Sequence, residues 1–235
     1  MTNLAIHRVT RLDLTVRPWR WPLAAERRDE IDAHFAALRV KMPALWNGRV
    51  LLGREPAFED ACFRADYFET DFASFIAWRD WSFPDTSVFN GFGMGALRGS
   101  DGVFVLGEMA AHTANAGRIY FPSGTPDPGD VHDSALDIAA SIAREVKEET
   151  GLVPSDYAAD PVWYCVVSGP LIAVVQLLNV DMPGEQLRQR IVANLAAQTA
   201  PELSAMHCVS GRRDFTPAMP TFVTAFMSYA ADEQI

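Results

Sequence analysis

Cysteine is scarce and scattered: Cys62, Cys165 and Cys208 are the three in 235 residues. None stands in a C-x-x-C pair or beside histidine at zinc-ligand spacing. That excludes a disulfide framework and a zinc knuckle, and makes a reducing cytoplasm the expected compartment. Long apolar runs are missing too. No stretch reaches the ~18 uninterrupted apolar residues of a membrane span, and the start MTNLAIHRVTRLDLTVRPWRW lacks the apolar segment of a secretory leader. A soluble protein without a membrane partner is expected. Basic residues are outnumbered, 20 Lys and Arg against 30 Asp and Glu, for a formal charge of -10. Non-specific nucleic-acid affinity comes from clustered Lys and Arg, so no nucleic-acid partner is expected. There is no internal repeat and no low-complexity segment.

Apolar residues make up 49% of the chain, enough at this length for one large core. Ile31, Phe35 and Leu38 recur at helical spacing over 24–40, ahead of Pro43. RVLLG (49–53) and ACFRADY (61–67) read as strands, followed by a short helix with Phe72, Phe75 and Ile76 on one face. Residues 1–85 therefore form an expected N-terminal strand and helix subregion packed on the core, and 86–235 the main domain. MGALR (94–98) and VFVLGEM (103–109) read as a hairpin around Gly99–Gly102. The glycines of NGFGMGALRG are not followed by another that opens a helix, which sets aside a dinucleotide fingerprint and favours close backbone packing. A short strand over 118–121 leads into the turn PSGTPDPG, and a long helix is expected over 134–150. Strands at 161–167 and 171–180, a helix at 184–197, a strand at 203–209 and a closing helix at 221–231 complete the reading.

Chemistry concentrates on the helix SALDIAASIAREVKEETGL. One stripe of it, Ala135, Ile138, Ala139, Ile142 and Val146, can pack on a sheet. On the neighbouring face Glu145, Glu148 and Glu149 stand at i, i+3 and i+4, so three carboxylates crowd one turn. They lie near the C-terminal end, where the helix dipole already disfavours negative charge. Arg144 cannot neutralise three carboxylates, and Lys147 points elsewhere. A divalent cation can: Mg2+ takes hard oxygen ligands and keeps several waters, which suits carboxylates completed by a substrate phosphate. A solvated acidic face is the competing reading.

Arg144-Glu145-Val146-Lys147-Glu148-Glu149-Thr150-Gly151-Leu152 matches, at all seven specified positions, the second half of the box G-x5-E-x7-R-E-U-x-E-E-x-G-U, with U a bulky apolar residue. In this the chain resembles the Nudix hydrolase family. The first half departs from the pattern. Gly124 can serve as the opening glycine, but TPDPGDVHDSA is longer than the family spacing, and the first box glutamate, counted back from Arg144, falls on Leu136 with Asp137 beside it as a candidate substitute. The resemblance implies an α+β fold, a Nudix-type α/β/α sandwich with a mixed sheet. It implies a diphosphate hydrolase that uses Mg2+, with Mn2+ as an alternative, on a small nucleotide-derived substrate. Glu145 and Glu149 become metal ligands and Glu148 a further ligand or a base. Arg144 orients a carboxylate, Ser123 offers its carbonyl to the metal, Gly124 opens the box and Gly151 caps the helix.

Around the box, Glu108, His112 and Arg118 are candidate substrate-binding residues, Glu108 also a candidate to face the metal. Arg98, Arg212 and Arg213 are weaker phosphate candidates. Trp78, Trp81 and Phe83 fit core packing better than base stacking. The layout LWNGRVLLG, ETDFASFIAW and GMGALRGSDGVFVLGE is similar to the UDP-sugar diphosphatase branch, implying a nucleotide sugar such as UDP-glucose. HTANAGRIYFPSGTPDPGD is similar to coenzyme A diphosphatases. A catalytically silent nucleotide-binding sensor domain is the reading from a different class. A homodimer through the N-terminal strands is compatible with the sequence.

Overall fold

The computed structural model describes residues 4–43 and 45–235. Two short strands come first, β1 (Leu4–Val9) and β2 (Arg11–Val16). The helix expected over 24–40 is two pieces, α1 (Pro22–Glu26) and α2 (Arg28–Lys41), because Arg27 leaves helical space at φ -112° and ψ 28°. β3 (Arg49–Glu59) and β4 (Cys62–Asp71) are longer than their apolar cores, and their register shifts between Arg54 and Ala57, around Pro56. Asp71 caps α3 (Phe72–Asp80) by accepting the Ser74 N–H at 2.8 Å.

The remainder holds β5 (Val88–Gly99), β6 (Phe104–Met109), β7 (Ile119–Tyr120), β8 (Ser123–Gly124), β9 (Val131–His132), β10 (Ala135–Leu136) and α4 (Ile138–Thr150). Then come β11 (Ala158–Ser168), β12 (Leu171–Val180), α5 (Gly184–Leu195), β13 (Leu203–Val209) and α6 (Thr221–Glu233). The strands run in the order β1-β11-β12-β5-β3-β4-β2-β10-β9, with β6 bridging β5 to β13 and β7. β12 lies parallel to β5 from Leu171↔Asn90 to Val180↔Gly99, and β2 parallel to β4, while the other pairings are antiparallel. The fold class is thus α+β with a mixed sheet, as the sequence implied.

β5 is buried along its length because helices cover both of its faces. A Cβ added at Gly93 would lie 2.7 Å from Ile142 Cγ1, and one at Gly95 2.8 Å from Val146 Cγ2, so these glycines admit α4 at close range. The adjacent Phe92 meets Phe222 of α6 at 5.4 Å between ring centroids. Successive residues of a strand point to opposite faces, so α4 and α6 sandwich the sheet. Residues 1–85 share this architecture with the rest: β1 pairs with β11, and β2 with β10.

Candidate active site

α4 begins later than the expected Ser134. Ala135 and Leu136 are a strand, pairing Ala135↔Thr15 and Leu136↔Val131. Leu136 therefore occupies no helical position. Asp137, considered as a substitute for the first box glutamate, is instead the helix N-cap, its Oδ1 accepting the Ala140 N–H at 2.9 Å. At the other end Gly151 takes the left-handed conformation, φ 76°, and its N–H reaches the Lys147 carbonyl at 2.9 Å.

The three glutamates are unequal in their surroundings. Glu149 is 4% exposed. The side chains of Glu145 and Glu148 are 14% and 62% exposed. The two buried carboxylates meet β8. The Ser123 N–H donates to Glu149, and a Cβ at Gly124 would stand 2.2 Å from Glu145 Oε1. Only a residue without a side chain lets the β8 backbone touch Glu145 in this way. β8 is held in turn by its pairing to β5, Gly93↔Gly124 and Met94↔Ser123.

Burial, together with the repulsion of Glu148 and Glu202, pushes the Glu145 carboxyl up to about 7 against the opposing pull of Arg144. Glu149 is raised well above the usual carboxylate range, first by burial and then by Glu145 and Glu202, while the Ser123 N–H opposes the shift. Arg144 donates from Nη1 to Glu145 Oε1 at 2.8 Å and from Nη2 to Asp130 Oδ2 at 2.9 Å, with Glu148 Oε2 at 3.8 Å. Burial works against its charge, and Asp130, Glu145 and Asp127 more than offset that, so its pKa is raised. Glu202 and Asp130 are the site's additional carboxylates. Asp130 ends a short 3-10 turn just before the helix and Glu202 precedes β13 far along the chain, and no local periodicity marks either.

Among the described residues, no group of three or more His, Cys, Asp or Glu converges at the geometry of a preformed cation site. The donor chemistry nevertheless fits a hard divalent cation: buried carboxylate oxygens that repel one another, a neighbouring exposed carboxylate, and a single guanidinium as counter-charge. Ser123 and Gly124 adjoin these oxygens.

Glu108 is placed away from them. It shares a β6 face with Phe104, which meets Phe226 of α6 at 6.1 Å, and its Oε2 pairs with His207 Nε2 at 2.8 Å. This corrects the expectation that it faces the metal, since alternation along β6 turns it to the α6 side. His112 and Arg118 are exposed in the loop between β6 and β7. That loop flanks the site, because Asn115 donates to the Tyr120 hydroxyl at 3.1 Å. The Tyr120 phenol is raised by burial and further by Glu149, Glu202 and Glu145. Arg98 donates to Asn179 Oδ1 and to the Ile235 carbonyl, and Arg212 pairs with Asp232, so neither reaches the acidic cluster. Arg213 lies 3.8 Å from Asp214. Trp78 is fully buried with Phe83 edge-on at 4.7 Å, and Arg27 lies over Trp81 at 3.9 Å. These rings pack the fold.

No family model matches the sequence, and no curated protein matches it. Solved structures show a partial similarity. A MutT protein from Methanosarcina mazei Go1 is 22% identical over 62% of this chain and 95% of its own, with a TM-score of 0.41. The Nudix hydrolase RenU from M. smegmatis is 13% identical over 63% of this chain and 88% of its own, also at 0.41. A bifunctional NMN adenylyltransferase/ADP ribose pyrophosphatase from Francisella tularensis is 15% identical over 68% of this chain and 45% of its own, at 0.44. The functional reading rests on the site itself.

Proposed function

We propose that the chain is a Nudix-type hydrolase that splits the diphosphate linkage of a nucleoside diphosphate derivative, a nucleotide sugar such as UDP-glucose, with Mg2+ or Mn2+. The observation that carries this reading is the pair of buried carboxylates, Glu145 and Glu149, set against Ser123 and Gly124 with one arginine as partner. Two repelling acids buried beside one guanidinium weaken a helix that serves structure alone, and a cation removes that penalty. The nucleotide-sugar assignment rests on the sequence layout before the box.

Glu145 and Glu149 would hold the metal, with Glu148 beside them. When bound there, a divalent cation supplies neutralisation of diphosphate charge and acidification of water. Arg144 holds Glu145 in place. In the hydrolysis, water adds to one phosphorus, the bridging P–O bond breaks, and two phosphate products leave. Glu148, the most solvated of the three, accepts the proton of the attacking water. Arg118 and His112 lie on the flanking loop, where they can meet substrate phosphate.

The test is a panel of UDP-glucose, other nucleotide sugars, ADP-ribose, NADH and coenzyme A with Mg2+, and Glu149→Gln as control. Turnover of UDP-glucose that the variant lacks supports the reading. Cleavage of coenzyme A alone transfers the assignment to that class of diphosphate. Turnover of none, without protection against heat by Mg2+, overturns the hydrolase reading in favour of a silent binding domain.

A further inference from the structure

The box pattern asks for a carboxylate eight residues before the arginine, and this chain has Leu136 there, buried in β10. A carboxylate reaches Arg144 from another direction. Asp130 ends a short 3-10 turn, Pro128–Asp130, inside the segment that is too long for the box spacing. Its side chain is 5% exposed. Asp130 Oδ2 accepts from Arg144 Nη2 at 2.9 Å and from the Asp127 N–H at 3.1 Å, while Oδ1 lies 3.3 Å from the same Nη2. Arg144 Nη1 continues to Glu145 Oε1 at 2.8 Å. The guanidinium is thereby fixed on one edge by Asp130 and presented on the other to Glu145.

The extra residues also explain why Asp130 stays in place. Val131–His132 and Ala135–Leu136 form a hairpin closed by Asp133 and Ser134, with φ of 48° and 66°, the two-residue turn whose twist suits a hairpin. The hairpin adds to the N-terminal sheet through Ala135↔Thr15 and through the Val16 N–H on the Ser134 carbonyl at 2.7 Å. The Asp130 carbonyl accepts the N–H of the helix cap Asp137 at 2.9 Å. The insertion is a strap fastened to β2 at one end and to the start of α4 at the other, with Asp130 at its root.

We infer that Asp130 is a positioning residue: its buried carboxylate stands in for the missing box glutamate by anchoring Arg144, which holds Glu145 in the orientation that receives a divalent cation. This rests on the reading of Glu145 and Glu149 as the hydrolytic site. Outer carboxylates that orient a ligand-bearing group typically matter about 10–100-fold for metal affinity or activity.

The test compares wild type, Asp130→Asn, Arg144→Gln, Arg144→Lys and the Asp130→Asn/Arg144→Gln double variant. Three quantities are read: Mn2+ affinity by calorimetry without substrate, kcat and KM on whichever panel member is cleaved, and unfolding midpoint in EDTA. Asp130→Asn should weaken Mn2+ binding about 10–100-fold and lower kcat by a similar factor, with KM within about twofold. In the Arg144→Gln background the same change should add less than about twofold, because the two residues act as one unit. Asp130→Asn that lowers the midpoint while binding Mn2+ and turning over like wild type shows a purely structural ion pair and overturns the inference. So does full additivity in the double variant. If Asp130→Asn does not fold, Arg144→Lys carries the test: a point charge cannot fork to both carboxylates, so Mn2+ should bind at least about tenfold more weakly, and wild-type affinity overturns the inference. Wild type that neither binds Mn2+ nor cleaves any panel member overturns the site reading and this inference together, whereas binding by wild type with an unaffected Asp130→Asn overturns the inference alone.

Discussion

Burial and mutual repulsion disfavour the ionised forms of Glu145 and Glu149, and that opposition is measurable in the metal-free protein. The folded-state pKa of Glu145 is about 7 against an ordinary 4.5, so between these values the folded chain binds more protons than the unfolded one. The stability from this group is complete below about pH 4.5 and is lost as pH rises through about 7. Thermal unfolding in EDTA should therefore give a lower midpoint at pH 8 than at pH 5.5, once Glu145→Gln, which lacks this titration, is used to subtract the other groups. An identical slope in that variant removes Glu145 as the cause. Mg2+ should raise the midpoint more at the higher pH, since a cation binds the ionised carboxylate and competes with protons. Glu149→Gln should stabilise the EDTA-treated protein while lowering turnover about 100-fold or more. Glu148→Gln, on an exposed side chain, should move the midpoint by less than about 0.5 kcal/mol of stability.

Helix α4 shows which parts of the site could be read along the chain. Its buried Ile138, Ile142 and Val146, its three glutamates and its Gly151 cap are local signals that the structure places on one element, whereas Ala135 of the expected stripe belongs to β10 and Ala139 is exposed. Its start was misplaced by four residues because Ser134-Ala135-Leu136 is acceptable in a helix, whereas pairing with Thr15, over a hundred residues earlier, takes it into a sheet. Asp130 and Glu202 were illegible for the same reason, being brought to the helix by tertiary contacts. The strands over 4–16 were unmarked because their partners are far along the chain. The caps separate structural duty from ligand duty. Asp137→Ala removes the N-cap bond to Ala140 and should cost about 1 kcal/mol while leaving Mn2+ affinity within about twofold of wild type. A large loss of affinity would restore Asp137 as a ligand. Gly151→Ala imposes a left-handed conformation on a residue with a Cβ and drives that Cβ to 2.5 Å from Asn194, so denaturant unfolding should show at least about 1–2 kcal/mol of destabilisation.

The elements that carry the site are tied to strands from the first hundred residues. β8 reaches it through β5, the strap reaches it through β2, and β1 lies along β11 from Leu4↔Ser168 to Val9↔Trp163. Val9, Leu14, Leu51, Phe63 and Tyr67 from the first 85 residues share one buried cluster with Met94, Ile142 and Val174. Elements that bury a common core lose it together, so the chain should unfold in a single calorimetric transition whose van't Hoff and calorimetric enthalpies agree. Phe63→Ala, at a fully buried ring remote from the glutamates, should cost about 3–5 kcal/mol and lower that one midpoint, with loss of Mn2+ binding following the same curve. A first transition that removes the N-terminal strands while Mn2+ stays bound would show instead that residues 86–235 hold the acidic site unaided, and that the fastening of the strap to β2 is dispensable.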